Sequence, residues 1–276
     1  MCQLLGMNCN TPTDICFSFT GFQARGGLTD QHKDGWGIAF FEGRGARVFL
    51  DAQATVDSPI AELVRQYPIR STNVVAHIRK ATYGRVGLEN THPFQRELWG
   101  RCWIFAHNGH LPELAGEPSG PARPVGDTDS ERAFCHLLNA LRARFPDAPP
   151  DDDALFAALR ALASEIGRQG EFNFLLCDGQ TLFAHCASRL AYIVRQAPFG
   201  EAHLSDQDLT VDFRSVTSTR DRVALVATVP LTDNEHWEQI PRGTLMAFRD
   251  GAPLPYSDNQ TGAGCEPTRI TQGCSA

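Results

Sequence analysis

A cysteine, an arginine, an Asn-Gly pair and an aspartate carry the groups that acyl transfer requires. Cys2 comes first. If Met1 is removed, which a small second residue permits, Cys2 carries a thiol and a free α-amine together. A thiol is nucleophilic as its thiolate, and an unperturbed pKa of about 8.5 leaves a few per cent ionised at neutral pH. An α-amine titrates at about 7.7–8.0, so its neutral form can take the thiol proton. Nucleophile and base would then belong to one residue. Taken alone, Cys2 reads more simply as a small buried residue opening a strand.

Three other stretches place polar groups at the ends of apolar runs. In His77-Ile78-Arg79-Lys80-Ala81-Thr82, strand alternation allows His77 and Arg79 to share a face. A guanidinium held there suits bidentate capture of a carboxylate, although in isolation a structural ion pair is the simpler account. In His107-Asn108-Gly109, a side-chain amide and the next backbone N–H can aim two donors at one developing oxyanion. A plain Asn-Gly turn is the simpler account. In Thr128-Asp129-Ser130-Glu131, Asp129 could hold a substrate ammonium, but taken alone it reads more simply as an acid serving the start of a helix.

The elements that must position these groups follow from periodicity. An opening strand precedes a helix over 13–25, with Ile15, Phe19 and Phe22 at helical spacing. Strands are expected at 35–41 and 47–50, joined by a Gly-containing turn. Ser58-Pro59 starts a short helix with Ile60, Leu63, Val64 and Tyr67 on one face. Strands follow at 74–79 and 102–107, with 82–98 irregular between them and the second running into an Asn108-Gly109 turn. After a loop over 112–125, a capping box opens a helix with Phe134, Leu137, Leu138 and Leu141 buried. A second helix spans 152–167, and strands are expected at 172–177, 181–186, 191–195, 223–228 and 244–248. This order predicts an α+β fold of two sheets with helices outside, one domain over 1–250 and a loosely packed tail over 251–276.

Composition excludes several classes. The net charge of −7 argues against nucleic acid and anionic membrane as partners, and no run is long and apolar enough to span a bilayer. With no basic-then-apolar leader, a cytoplasmic location is expected. The nine cysteines are odd in number and lack a Cys-x-x-Cys spacing, which suits reduced buried thiols. His107 and His110 have no third ligand at convincing spacing, so no metal is expected.

Order and spacing carry more than any single stretch. Cys2, then Asp34-Gly35-Trp36-Gly37-Ile38-Ala39, His77-x-Arg79-x-Ala81-Thr82, His107-Asn108-Gly109 and Thr128-Asp129-Ser130-Glu131 together resemble the class II glutamine amidotransferases. The opening Met-Cys-x-Leu-Leu-Gly, the Lys-Asp-Gly-Trp-Gly-Ile at 33–38 and the Thr-His-Pro-Phe at 91–94 are most similar to the short YafJ-type members. The resemblance implies a four-layer αββα N-terminal-nucleophile (Ntn) hydrolase fold with two mainly antiparallel sheets. It implies Cys2 as nucleophile, Asn108 and Gly109 as oxyanion hole, Arg79 for a glutamyl α-carboxylate, Asp129 for its ammonium, and Thr82 lining that pocket. Arg25-Gly26 resembles the family's Arg-Gly, with a longer insertion after it. Lys80 and Tyr83 stand where better-known members have Trp and His, which changes the pocket wall more than the chemistry.

Three functions are compatible with that resemblance. The first is hydrolysis of a γ-glutamyl amide, glutamine or a conjugate, by a stand-alone enzyme with no cofactor. The second is a glutaminase subunit passing ammonia to a separate synthase. The third is a non-catalytic γ-glutamyl-binding protein, which would follow if Met1 is retained and blocks the amine. The leaving group and the oligomeric state are not specified by any motif.

Overall fold

A computed structural model describes residues 2–81, 84–114 and 116–255. In chain order the elements are β1 (Gln3–Thr13), α1 (Cys16–Ala24), β2 (Trp36–Glu42), β3 (Gly45–Asp51), α2 (Pro59–Gln66), β4 (Ser71–Ile78), β5 (Phe94–Leu98) and β6 (Arg101–His110). Two helices follow, α3 (Asp129–Arg144) and α4 (Asp152–Gly167). The remainder is β7 (Glu171–Cys177), β8 (Leu182–Cys186), β9 (Ala191–Gln196), β10 (Glu201–His203), β11 (Thr210–Asp212), β12 (Arg222–Ala227), β13 (Glu238–Gln239), β14 (Thr244–Arg249) and β15 (Ala252–Pro253).

Two large antiparallel sheets result, a seven-stranded one ordered β13-β9-β12-β1-β4-β2-β3 and a six-stranded one ordered β15-β14-β8-β7-β6-β5, with β10 and β11 paired as a separate two-stranded ribbon. Strand alternation divides each into an inner and an outer face. Leu4, Ala39 and Val75 meet Ile104, Ala106, Leu175 and Leu182 between the sheets. Leu5, Met7, Ile38, Val74 and Ala76 face outward onto Phe19 and Phe22 of α1 and Val64 of α2. Phe105, Phe172 and Phe174 face outward onto Phe134 and Leu137 of α3 and Leu159 of α4. The layers are therefore α, β, β, α, and β1 lies at the centre of the first sheet.

Three local expectations change. Asn108 and Gly109 do not form a turn. They continue β6, opposite Asn173 and Phe172 of β7. The stretch expected to be irregular ends in β5, paired with β6 from Phe94↔Phe105 to Leu98↔Arg101. On α2, Ala61 and Val64 are buried while Leu63 and Tyr67 are 55% and 59% exposed, so most of the apolar stripe faces solvent. The residues at 251–255 are tied down: Gly251 N–H donates to Asn8 Oδ1 and Leu254 N–H to the Ala247 carbonyl. Among the described residues the cysteines are free thiols, and no helix is long and apolar enough to cross a membrane.

Candidate active site

Cys2 sits at the entry to β1. Its Sγ accepts the Lys80 N–H at 3.3 Å and lies 3.5 Å from the Lys80 carbonyl. The β1–β4 register, Gln3↔Ile78, brings the two ends together. The segment after β4 is held in turn by Asp34 and Gly35. Asp34 Oδ2 accepts the Ala81 N–H at 2.8 Å, the Asp34 N–H donates to the Arg79 carbonyl, and the Arg79 N–H to the Gly35 carbonyl. The Asp-Gly-Trp-Gly stretch thus has a physical use: it fixes the backbone that cradles the thiol. Gly37 admits close packing there, since a Cβ would lie 2.4 Å from the His92 carbonyl. Burial pushes the Cys2 thiol pKa up, against the opposing pull of the Lys80 amide and the Arg79 charge.

Arg79 follows Val75 and His77 on the inner face and is 3% exposed. Its Nη1 donates to the Arg85 carbonyl at 2.9 Å and Nη2 approaches the Gly84 carbonyl at 3.4 Å. A Cβ on Gly84 would be 3.5 Å from Arg79 Nη2 and 3.1 Å from Thr128 Cγ2, so Arg79 and the start of α3 flank that glycine. Thr82 lies outside the described residues.

Asn108 points inward from β6, and its Nδ2 is 3.4 Å from Thr228 Oγ1. Gly109 has φ +156°, and a Cβ there would lie 1.9 Å from the Glu171 carbonyl. Only glycine fits between β6 and β7 at that point. His107 alternates to the outer face. Its Nε2 donates to the Glu171 carbonyl at 3.0 Å, leaving Nδ1 to accept from Ser130 Oγ at 2.8 Å.

Asp129 opens α3. Its Oδ2 accepts the Leu111 N–H at 2.7 Å and lies 3.1 Å from His110 Nδ1, while Oδ1 accepts the Ser130 N–H. Burial would raise its carboxyl, but the Leu111 amide, the two histidines and the Ser130 amide outweigh it and hold the pKa low. Half of the capping box forms: Thr128 Oγ1 accepts the Glu131 N–H. The Glu131 carboxylate turns instead to the Val125 and Gly126 amides and to Arg96. Phe105 stacked on Phe134 at 4.9 Å fixes α3 against β6, a contact worth about 0.5–1.5 kcal/mol beyond its burial.

Arg25 is committed elsewhere. Its Nε donates to Asp206 Oδ2, Nη1 to the Val229 carbonyl and Nη2 to the Pro230 carbonyl. Two further residues, Thr228 and Asp34, bond the candidate site residue Asn108 and the backbone after Arg79 respectively, without any role assigned to them by the motifs. A polar residue closing the apolar run 223–228 was the signal for the first. A cavity of about 330 Å³ lies toward the other end of β1, lined by residues including Asn8, Asn73 and Gln180. Asn8 and Asn73 already bond one another and the neighbouring backbone, which leaves little for a ligand.

Behind Arg79, His77 and His92 stack at 4.2 Å, and both are buried. Burial, with the nearby His107 and Arg79 charges, lowers the His77 pKa to about 3. Burial likewise holds His92 and His107 low. Each binds its proton less readily folded than unfolded. Stability is therefore complete above the unfolded value of about 6.5 and declines as pH falls toward 3. For His77 alone the slope is about 1.4 kcal/mol per pH unit. Urea midpoints between pH 7 and 5 should fall for the wild type and fall less for His77→Leu. Equal slopes would remove His77 as a source.

A buried arginine, a strand-end thiol and an inward asparagine thus lie between two helix-covered sheets. The class II glutamine amidotransferase family model matches residues 1–269, and the chain belongs to that family. YafJ of Escherichia coli is 54% identical over 248 residues, covering 90% of this chain and 97% of its own. A Haemophilus influenzae relative is 51% identical over 254 residues, 92% of this chain and 86% of its own. A Pseudomonas aeruginosa structure assigned to the glutamine amidotransferases has a TM-score of 0.74 at 49% identity, over 91% of this chain and 99% of that one. Glutamine phosphoribosylpyrophosphate amidotransferase of Bacillus subtilis shares the fold alone: TM-score 0.53, 14% identity, 93% of this chain and 50% of that one. The αββα layering is thus that of the Ntn hydrolases, in a family that acts on the amide of glutamine.

Proposed function

We propose that the protein hydrolyses a γ-glutamyl amide through an N-terminal Cys2 thioester once Met1 is removed. The observation that carries this reading is the Cys2 sulfur seated on the Lys80 amide beside Arg79. Arg79 would clamp the α-carboxylate, and Asp129, with Thr82, would receive the α-ammonium end, orienting the γ-carbonyl toward Sγ. The Cys2 amine takes the thiol proton and the thiolate attacks the carbonyl carbon. Asn108 and Gly109 donate to the oxyanion. The ammonium then protonates the leaving amine as the C–N bond breaks, and a thioester remains. Water, deprotonated by the same amine, attacks the thioester, giving glutamate and restoring the thiol. No metal or organic group takes part in this scheme.

Intact mass of the native protein, combined with a panel of γ-glutamyl amides, tests it. The expected result is a chain lacking Met1 that releases glutamate from at least one of them. Retained Met1 with no glutamate from any would sink the proposal in favour of a non-catalytic binder. The likeness to amidotransferases favours a second reading, in which ammonia passes to a separate synthase. Turnover stimulated by that partner would distinguish it.

A further inference from the structure

The Thr228 hydroxyl links the two sheets. The Thr228 N–H donates to the Leu4 carbonyl at 3.1 Å, and the Leu4 N–H returns to Thr228 Oγ1 at 3.0 Å. The same oxygen is 3.4 Å from Asn108 Nδ2 in the opposite sheet. Thr228 is 3% exposed, and the two carbonyls that follow it are gripped by Arg25. One buried oxygen thus joins the strand that begins beside Cys2 to the strand that carries Asn108.

Proton accounting decides which end of the Asn108 amide should face it. A threonine hydroxyl has one proton to give, and the Leu4 N–H already occupies one of its lone pairs. With Nδ2 toward Thr228, the hydroxyl accepts twice, its proton goes unused in the pair, and Asn108 Oδ1 is buried without a partner. The two ends of a primary amide have the same shape, so the hydrogen-bond network assigns them. Turning the group over lets Thr228 Oγ–H donate to Oδ1 and leaves the NH₂ as the unpartnered end.

We propose that Thr228 is a positioning residue: its hydroxyl holds Asn108 Oδ1 and so aims Nδ2 at the carbonyl oxygen that becomes negative. This rests on the assignment of Asn108 to the oxyanion hole. The same bond sets the spacing between nucleophile strand and oxyanion donor.

Thr228→Val keeps the shape and removes the hydroxyl. The turnover number for glutamate release should fall roughly 10- to 100-fold, with KM within about twofold, and Thr228→Ser should keep most of the wild-type rate. An unchanged rate in the valine variant, or a serine variant as impaired as the valine one, overturns the proposal. A neutron structure of the wild type lacking Met1 supplies a second arm that does not depend on turnover. Deuterons on the Asn108 nitrogen should lie on the side away from Thr228, and deuterons facing Thr228 overturn the proposal even in an active enzyme. A wild type that releases no glutamate, with deuterons facing away, defeats the hydrolase reading but not the amide's orientation.

Discussion

Cys2→Ala should abolish glutamate release, a loss of at least about 10⁴-fold, while the protein stays folded and still binds γ-glutamyl compounds. The size of the loss follows from chemistry: without sulfur there is no acyl intermediate, and only positioning and oxyanion donors remain. Folding should survive because the sulfur makes two weak bonds to the Lys80 backbone, just ahead of β1 rather than within its buried run. Titration calorimetry with glutamine and a thermal melt, run beside a turnover assay, separate the two effects. An alanine variant with full turnover would falsify the thioester route.

Arg79→Ala should raise KM by about 10²-fold or more, with a smaller change in the turnover number. A hydrogen bond to a charged group contributes about 1.5–3 kcal/mol, and a carboxylate can take two from one guanidinium. Arg79→Lys keeps the charge without the planar fork and should fall between the two. The alanine variant will also melt lower, because Arg79 bonds the Arg85 carbonyl. If it melts lower with KM unchanged, the arginine serves the fold rather than the substrate.

The helices were legible in the sequence wherever spacing and caps agreed. The α4 bounds match the expected 152–167, and Asp151 caps the helix through the Ala154 N–H. Asn108-Gly109 misled because local turn preference lost to pairing with Asn173 and Phe172, a partner strand far along the chain. Gly109 owes its identity to the Glu171 carbonyl beside it rather than to a turn. The role of Arg25 was equally illegible. Nothing near it in sequence announces Asp206, Val229 or Pro230. Cys2, Arg79 and Asn108 stood out because their neighbouring motifs come in a fixed order. Thr228 did not, since a threonine ending an apolar run has no signature until its partners are known.

The central place of β1 also bears on timing during synthesis. Its neighbours are β4 and β12, and the latter ends at Ala227. The first strand to leave the ribosome therefore waits for one of the last before its second edge is covered. At 5–20 residues per second that interval is roughly 10–45 s. Until β4 and then β12 close on it, the end of β1 that carries Cys2 would be open to a methionine aminopeptidase. On the proposed mechanism, maturation is thus a race between trimming and strand closure. Overexpression that outruns the aminopeptidase should yield a folded, inactive fraction with Met1 still attached.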